Sequence, residues 1–219
     1  AQQNFYNIGS GAILMNVENG EILSLVSLPD YDLNQRISID DNIYTNKITL
    51  GVYELGSVFK TFTIAAGLEN KVISPNTIFK NLENKLTCDK YTITEHDKLP
   101  KNLSVEQILI RSSNIGAVRI AQKVGIEKYK DFLKNLGLLD SMKFDLEEIG
   151  TPIPFRWGKC KLVTTSYGHG ITTTPLQVAT AYAILGNGGY KIQPSILKIK
   201  KKSLKKKEQI ISHKTSNAI

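Results

Sequence analysis

Residues Tyr53–Asn70 read YELGSVFKTFTIAAGLEN. Between Glu54 and Glu69 a single charged residue, Lys60, interrupts a run that is otherwise small, hydroxyl-bearing or apolar. Lys60 follows Ser57 by three positions. On a helix such residues share a face, with Cβ atoms about 5–6 Å apart. Phe59, Phe62, Ile64, Ala65 and Leu68 point around the whole helix, which predicts a segment surrounded by protein. A lysine held there loses hydration, and its pKa falls. A neutral lysine beside a serine hydroxyl is a general base beside a nucleophile. Ser57 also follows Gly56 at the helix start, where unpaired backbone N–H groups can stabilise an oxyanion. The plainer reading is a capping serine and a lysine that reaches out to solvent. The spacing alone does not decide, because it recurs at Ser195/Lys198 and Ser203/Lys206, in or beside a basic run.

A second constellation lies in ILIRSSNIGAV, residues 108–118. Ser112 and Asn114 fall at the junction of two predicted helices, where side chains project into a cleft more readily than on a helix face. Ser112 could pass a proton to a leaving amine, and Asn114 could hold a substrate amide with its donor and acceptor together. Capping is again the plainer alternative.

Around these motifs the chain reads as mixed α and β. Gly11–Val17 and Glu21–Leu28 are apolar, β-favouring runs joined at Asn19-Gly20, which predicts an antiparallel hairpin ended by Pro29. Tyr31–Asn46 reads as loop with a short helix. Residues 71–103 read as irregular, with short strands near Lys85–Leu86 and Tyr91–Thr94. Ser104 with Gln107 forms a capping box before a helix to about Arg111. Asn114–Val124 and Ile126–Asn135 are further helices, with Gly125 between them. Residues 140–165 read as loop, with Pro152 and Pro154 as breakers. Thr174-Pro175 opens a helix to about Leu185. Ile192–Lys198 reads as a short strand, and Gln209–Ile219 as the start of a helix.

Composition narrows the function classes. The 219 residues are 41% hydrophobic and 22% charged, as expected of a packed core. The net charge is +8, but seven lysines fall within Lys198–Lys207, leaving +1 elsewhere. That run has no aromatic interleaving and matches no nucleic-acid motif, so no nucleic-acid partner is expected. It reads as a solvated basic loop, with anionic lipid or wall polymer as the alternative partner. Cys88 and Cys160 lie 72 positions apart, outside any metal-type spacing. His96, His169 and His213 are scattered, and no metal site or cofactor is expected. His169, in Tyr167-Gly168-His169-Gly170, could line the cleft, though glycines there serve turn geometry first.

These motifs resemble the S-x-x-K and S-x-N set of penicillin-binding proteins. The resemblance covers nearly the whole chain and keeps the family's order. GAILMNVENGEILSLVSLPDYDLN resembles its opening strands, and GVYELGSVFKTFTIAAGLE its nucleophile helix. LSVEQILIRSSNIGAVRIA resembles its second motif, and SYGHGITTTPLQVATAYAILGNGG its later glycine turn and long helix. The chain resembles the transpeptidase domain of class B penicillin-binding proteins, and the wording around Ser57 resembles the division-specific (FtsI-type) branch.

The resemblance implies an α/β (α+β) fold, an antiparallel sheet flanked by helices with a mostly helical subdomain. It implies one partial transpeptidase domain over residues 1–219. A hairpin fills 1–30, a mainly helical part with the motifs 47–190, and a basic loop with a helix start 191–219. The implied activity is DD-transpeptidation of peptidoglycan stem peptides, with Ser57 as nucleophile, Lys60 as base, Ser112 as proton relay and Asn114 positioning substrate. β-Lactam antibiotics would acylate Ser57. Implied partners are division-complex membrane proteins, including a glycosyltransferase. The implied location is the periplasm, anchored to the inner membrane, with the anchor absent from this chain.

One departure is plain. The family's third motif, K-T-G, is absent, and the nearest match, Lys214-Thr215, is followed by Ser216. A C-terminally truncated domain, inactive alone, is therefore expected. A serine β-lactamase, with Glu147 or Glu148 activating water, and a non-catalytic division-complex component remain the alternatives.

Overall fold

The computed structural model describes residues 7–32, 34–35, 42–198 and 208–219. The opening hairpin pairs β1 (Ser10–Met15) with β2 (Ile22–Leu28), in register from Ser10 opposite Leu28 to Leu14 opposite Ser24, with a one-residue shift before Met15 opposite Ile22. Its tight end is closed by Asn16 N–H donating to the Glu21 carbonyl and Gly20 N–H to the Asn16 carbonyl, both at 2.8 Å. The part of Tyr31–Asn46 that is described includes a 3₁₀ turn at Asn42–Tyr44.

A 3₁₀ turn at Gly56–Val58 runs directly into α1 (Phe59–Glu69). Two apolar clusters meet on this helix. Phe59, Phe62, Ala65 and Ala66 pack with Tyr129, Leu133, Ile171 and Ile184 on one side. Ile64 faces Ile115, Val118, Ile120, Ile108 and Leu103 on the other. Burying one such side chain stabilises by about 1.5–3 kcal/mol. A helix packed on both sides needs no polar face, which is why Lys60 stands alone in its run.

The middle of the chain supplies the second cluster. β3 (Ile78–Phe79) pairs with β6 (Leu103–Ser104), and β4 (Lys85–Cys88) with β5 (Tyr91–Thr94), both antiparallel. The β4–β5 hairpin lies where two short strands were predicted, whereas the two-residue β3–β6 ladder is too short to leave a period in the sequence. α2 (Val105–Ile110) begins on the capping box, with Ser104 Oγ accepting from Gln107 N–H and Gln107 Oε1 from Ser104 N–H. α3 (Asn114–Val124) and α4 (Ile126–Asn135) follow, separated by Gly125 at φ 83°.

Residues 140–165 are not all loop. α5 (Lys159–Thr165) begins inside that stretch. Its sequence, KCKLVTT, is rich in β-branched residues with weak helix preference, and tertiary contacts override it. Leu162, Val163 and Thr165 are buried, and Cys160 is joined to Cys88 of β4 by a disulfide. α6 (Pro175–Gly186) starts at Thr174-Pro175 with a capping box to Gln177 and packs on β1.

The strand expected at Ile192–Lys198 is absent. Only a single bridge, Glu21 with Ser195, forms there, because Ser195 Oγ and Ile196 N–H are both held by Asp145. Helix α7 spans His213–Ala218, shorter than the Gln209 start expected, because Ser212 is its N-cap. Of the basic run, all but Lys198 lies outside the described residues. Among the described residues no helix is long and apolar enough to cross a membrane.

Candidate active site

Ser57 sits exposed in the 3₁₀ turn ahead of α1. Two neighbours shape that turn. Tyr182 of α6 donates its hydroxyl to the Val58 carbonyl and lies at the same distance, 2.9 Å, from Thr61 Oγ1. Gly168 packs on Gly56 so closely that a Cβ would fall 1.9 Å from the Gly56 carbonyl oxygen. Gly168 also has φ 85°, so a side chain is excluded twice over.

Lys60 is 1% exposed. Its Nζ lies 3.1 Å from Ser57 Oγ and 2.8 Å from Ser112 Oγ, and it also donates to the Ser112 carbonyl. An ammonium has three N–H donors, so these three acceptors use all of them. Burial lowers the Lys60 pKa from 10.5 to about 8, against an opposing pull from the Glu95 carboxylate. At neutral pH a fraction of about one tenth is then a free amine, within reach of the Ser57 proton.

Ser112 reaches Lys60 because of its backbone. It has φ 52°, in the left-handed region that non-glycine residues rarely occupy. The capping expected of Ser112 or Asn114 falls to the residue between them. Ser113 is the N-cap of α3, accepting from Gly116 N–H at 2.9 Å. Ser112 is thereby left outside the helix with its hydroxyl free to turn inward. Asn114 is buried, and its side-chain amide donates to the Thr94 carbonyl at 2.7 Å. Among the described residues nothing donates to its Oδ1.

Sequence reasoning missed the support beneath this turn. Glu95, just past β5, accepts from Ser113 Oγ at 2.6 Å, Asn114 N–H at 2.7 Å and Ile115 N–H at 3.0 Å. It lies 17–20 positions upstream of Ser112–Ile115, and no local pattern marks it. The Cys88–Cys160 pairing left no signal either, since either cysteine could have stood alone.

Several other candidates lie elsewhere. His169 faces Glu54, with Nδ1 to Oε2 at 3.5 Å, and packs at a tilt against the Tyr167 ring. Glu148 accepts from Asn46 N–H and touches neither Ser57 nor Lys60. Lys214 and Thr215 are on α7, where Thr215 Oγ1 donates to Glu69. Glu69 ends α1, about 18 Å along the helix from Ser57. Among the described residues no group of His, Cys, Asp and Glu is placed to hold a metal.

Residues 10–219 match the family model described as penicillin binding protein transpeptidase domain. The chain belongs to that family. It is 35% identical over 190 residues to the probable peptidoglycan D,D-transpeptidase FtsI of Caulobacter vibrioides, covering 86% of this chain and 32% of the relative. It is 31% identical over 234 residues to stage V sporulation protein D of Bacillus subtilis, covering 100% of this chain and 36% of the relative. The chain thus spans about a third of the length of these relatives. Its fold is similar to that of a crystal structure of a peptidoglycan glycosyltransferase from Burkholderia ambifaria, with a TM-score of 0.87 and 25% identity, covering 99% of this chain and 65% of that one. A second neighbour is the transpeptidase domain of penicillin-binding protein 3 from Burkholderia pseudomallei, with a TM-score of 0.86, 24% identity and coverage of 99% and 62%. As a class B transpeptidase domain the chain has the mixed α/β fold that its motifs imply. Ser57, Lys60, Ser112 and Asn114 stand on three adjoining segments of that fold: the 3₁₀ turn with α1, the α2–α3 junction, and the start of α3.

Proposed function

We propose that this chain carries the nucleophile half of a peptidoglycan DD-transpeptidase site. The observation that carries the reading is Lys60 Nζ, buried between the hydroxyls of Ser57 and Ser112 at 3.1 and 2.8 Å. Ser57 Oγ attacks the carbonyl of the penultimate D-alanine of a stem peptide, and its proton passes to the Lys60 amine. The peptide bond to the last D-alanine breaks. That leaving nitrogen takes a proton from Ser112, which is resupplied by Lys60. An ester on Ser57 remains. The amine of a neighbouring stem then attacks the ester, returns its proton by the same route and forms the cross-link. Asn114 Oδ1 accepts a hydrogen bond from the substrate amide. A β-lactam presents a strained amide to the same serine and stops at the ester.

The relatives named FtsI support a role at division, and the proposal extends to partners among division-complex membrane proteins and a glycosyltransferase. The proposal also places the site in the periplasm, in a protein held at the inner membrane. In the test, the chain is incubated at length with a labelled penicillin and the adduct mapped by mass spectrometry. The adduct is expected on Ser57 and lost in Ser57→Ala. Labelling elsewhere, or undiminished labelling of the variant, would sink the reading.

A further inference from the structure

We infer that Glu95 is a positioning residue for the Ser57–Lys60–Ser112 unit, acting from the β4–β5 hairpin through the start of α3. Its carboxylate gathers one side-chain hydroxyl and two backbone N–H groups, from Ser113, Asn114 and Ile115, within 2.6–3.0 Å. These are three consecutive residues immediately after Ser112. Holding them fixes where α3 begins, and so forces the turn to be taken at Ser112, in the left-handed conformation. Only from that backbone do both the hydroxyl and the carbonyl of Ser112 face Lys60 Nζ.

The hairpin that delivers Glu95 is itself fixed at two points. Ile93 is buried in the second core cluster, and Cys88 is tied to α5. The Thr94 carbonyl, adjacent to Glu95, holds the Asn114 amide. One strand end therefore sets both the relay serine and the substrate-facing asparagine. Glu95 also acts on Lys60 by charge. Its carboxylate favours the ammonium, against the burial that disfavours it. The side chains that hydrogen-bond Nζ among the described residues, Ser57 and Ser112, are neutral.

A plain helix cap would contribute stability and nothing more. The two roles separate in Glu95→Gln, which keeps an acceptor oxygen and removes the charge. The ¹³Cε and ¹⁵Nζ resonances of Lys60 are followed against pH in the 219-residue chain, alongside thermal melting. The expected result is a Lys60 midpoint lower by about one unit in Glu95→Gln. Glu95→Asp should restore most of the difference, and Ser113→Ala, which removes the cap but not the charge, should lower the melting temperature with a smaller change in midpoint. An unmoved midpoint in Glu95→Gln with a lowered melting temperature would reduce Glu95 to a cap and overturn the assignment. If Glu95→Gln does not fold, Ser113→Ala decides: a Lys60 midpoint lowered there by about a full unit, with the carboxylate still in place, would overturn the assignment.

The assignment rests on Ser57, Lys60 and Ser112 forming one catalytic unit. The Lys60 titration needs no acylation, so absence of a Ser57 adduct in the wild-type chain would sink the proposed function and leave the Glu95 result readable.

Discussion

Ser112 Oγ and Lys60 Nζ meet at 2.8 Å across 52 positions of sequence, and the contact exists because Ser112 occupies a left-handed backbone conformation. The hydroxyl is therefore a placed group. Ser112→Ala keeps the carbonyl acceptor for Lys60 but removes the path for a proton to the leaving nitrogen. Acylation by penicillin, followed by intact-protein mass spectrometry, should slow by about 10²-fold or more, while the melting temperature stays near that of the parent. An unchanged rate would remove Ser112 from the mechanism.

The pH dependence follows from the buried lysine. Its pKa lies near 8 instead of 10.5, chiefly through burial. In the proposed mechanism the base is the Lys60 amine, so acylation should rise with pH, bend near 8 and level off above it. An unperturbed lysine would keep the rate climbing toward 10.5. A pH–rate profile separates the two, and continued increase past pH 9.5 would show that Lys60 is not the base.

How much of this was legible depended on distance along the chain. Ser57 and Lys60 are one helical turn apart, so their meeting is a property of local geometry. The capping boxes at Ser104 and Thr174 are equally local, and each helix begins where its cap lies. α5 was hidden because its β-branched residues argue against the helix that burial imposes. Glu95 and the Cys88–Cys160 pair were hidden because their partners are 18–20 and 72 positions away. Glu95 in particular looks like any loop carboxylate until the strand before it is placed beside α3. Ser112 was the intermediate case. Its neighbourhood to Lys60 came from a resemblance, but the reason it is not the helix cap needed the structure.

The Cys88–Cys160 disulfide offers a separate handle. It closes a loop of 72 positions and joins the hairpin that carries Thr94 and Glu95 to α5. Replacing both cysteines by serine should lower stability by about 2–4 kcal/mol in urea unfolding. The loss should be accompanied by faster amide exchange in β4 and β5, because their anchor to α5 is gone. Equal exchange in that hairpin would mean that Ile93 and its apolar neighbours hold it unaided.

The last expectation concerns the speed of the chemistry. The resemblance to penicillin-binding proteins implies that a K-T-G strand supplies a lysine and a hydroxyl for the substrate carboxylate and completes the oxyanion hole. None of the 219 residues forms that motif, and Thr215 of the nearest match donates to Glu69 at the far end of α1. The Ser57–Lys60–Ser112 contacts all lie within these 219 residues, so in the proposed mechanism the nucleophile is still activated. In the 219-residue polypeptide taken alone, the oxyanion that follows attack would be short of the donor implied for that strand, a loss worth about 10²–10³ in rate, and the β-lactam carboxylate would be without the implied anchor. Acylation of this chain should therefore be slow, needing hours and high penicillin concentration. The label should still map to Ser57. Rapid, stoichiometric labelling with a fluorescent penicillin would contradict this and would mean that the donors missing from K-T-G are supplied by another part of the chain.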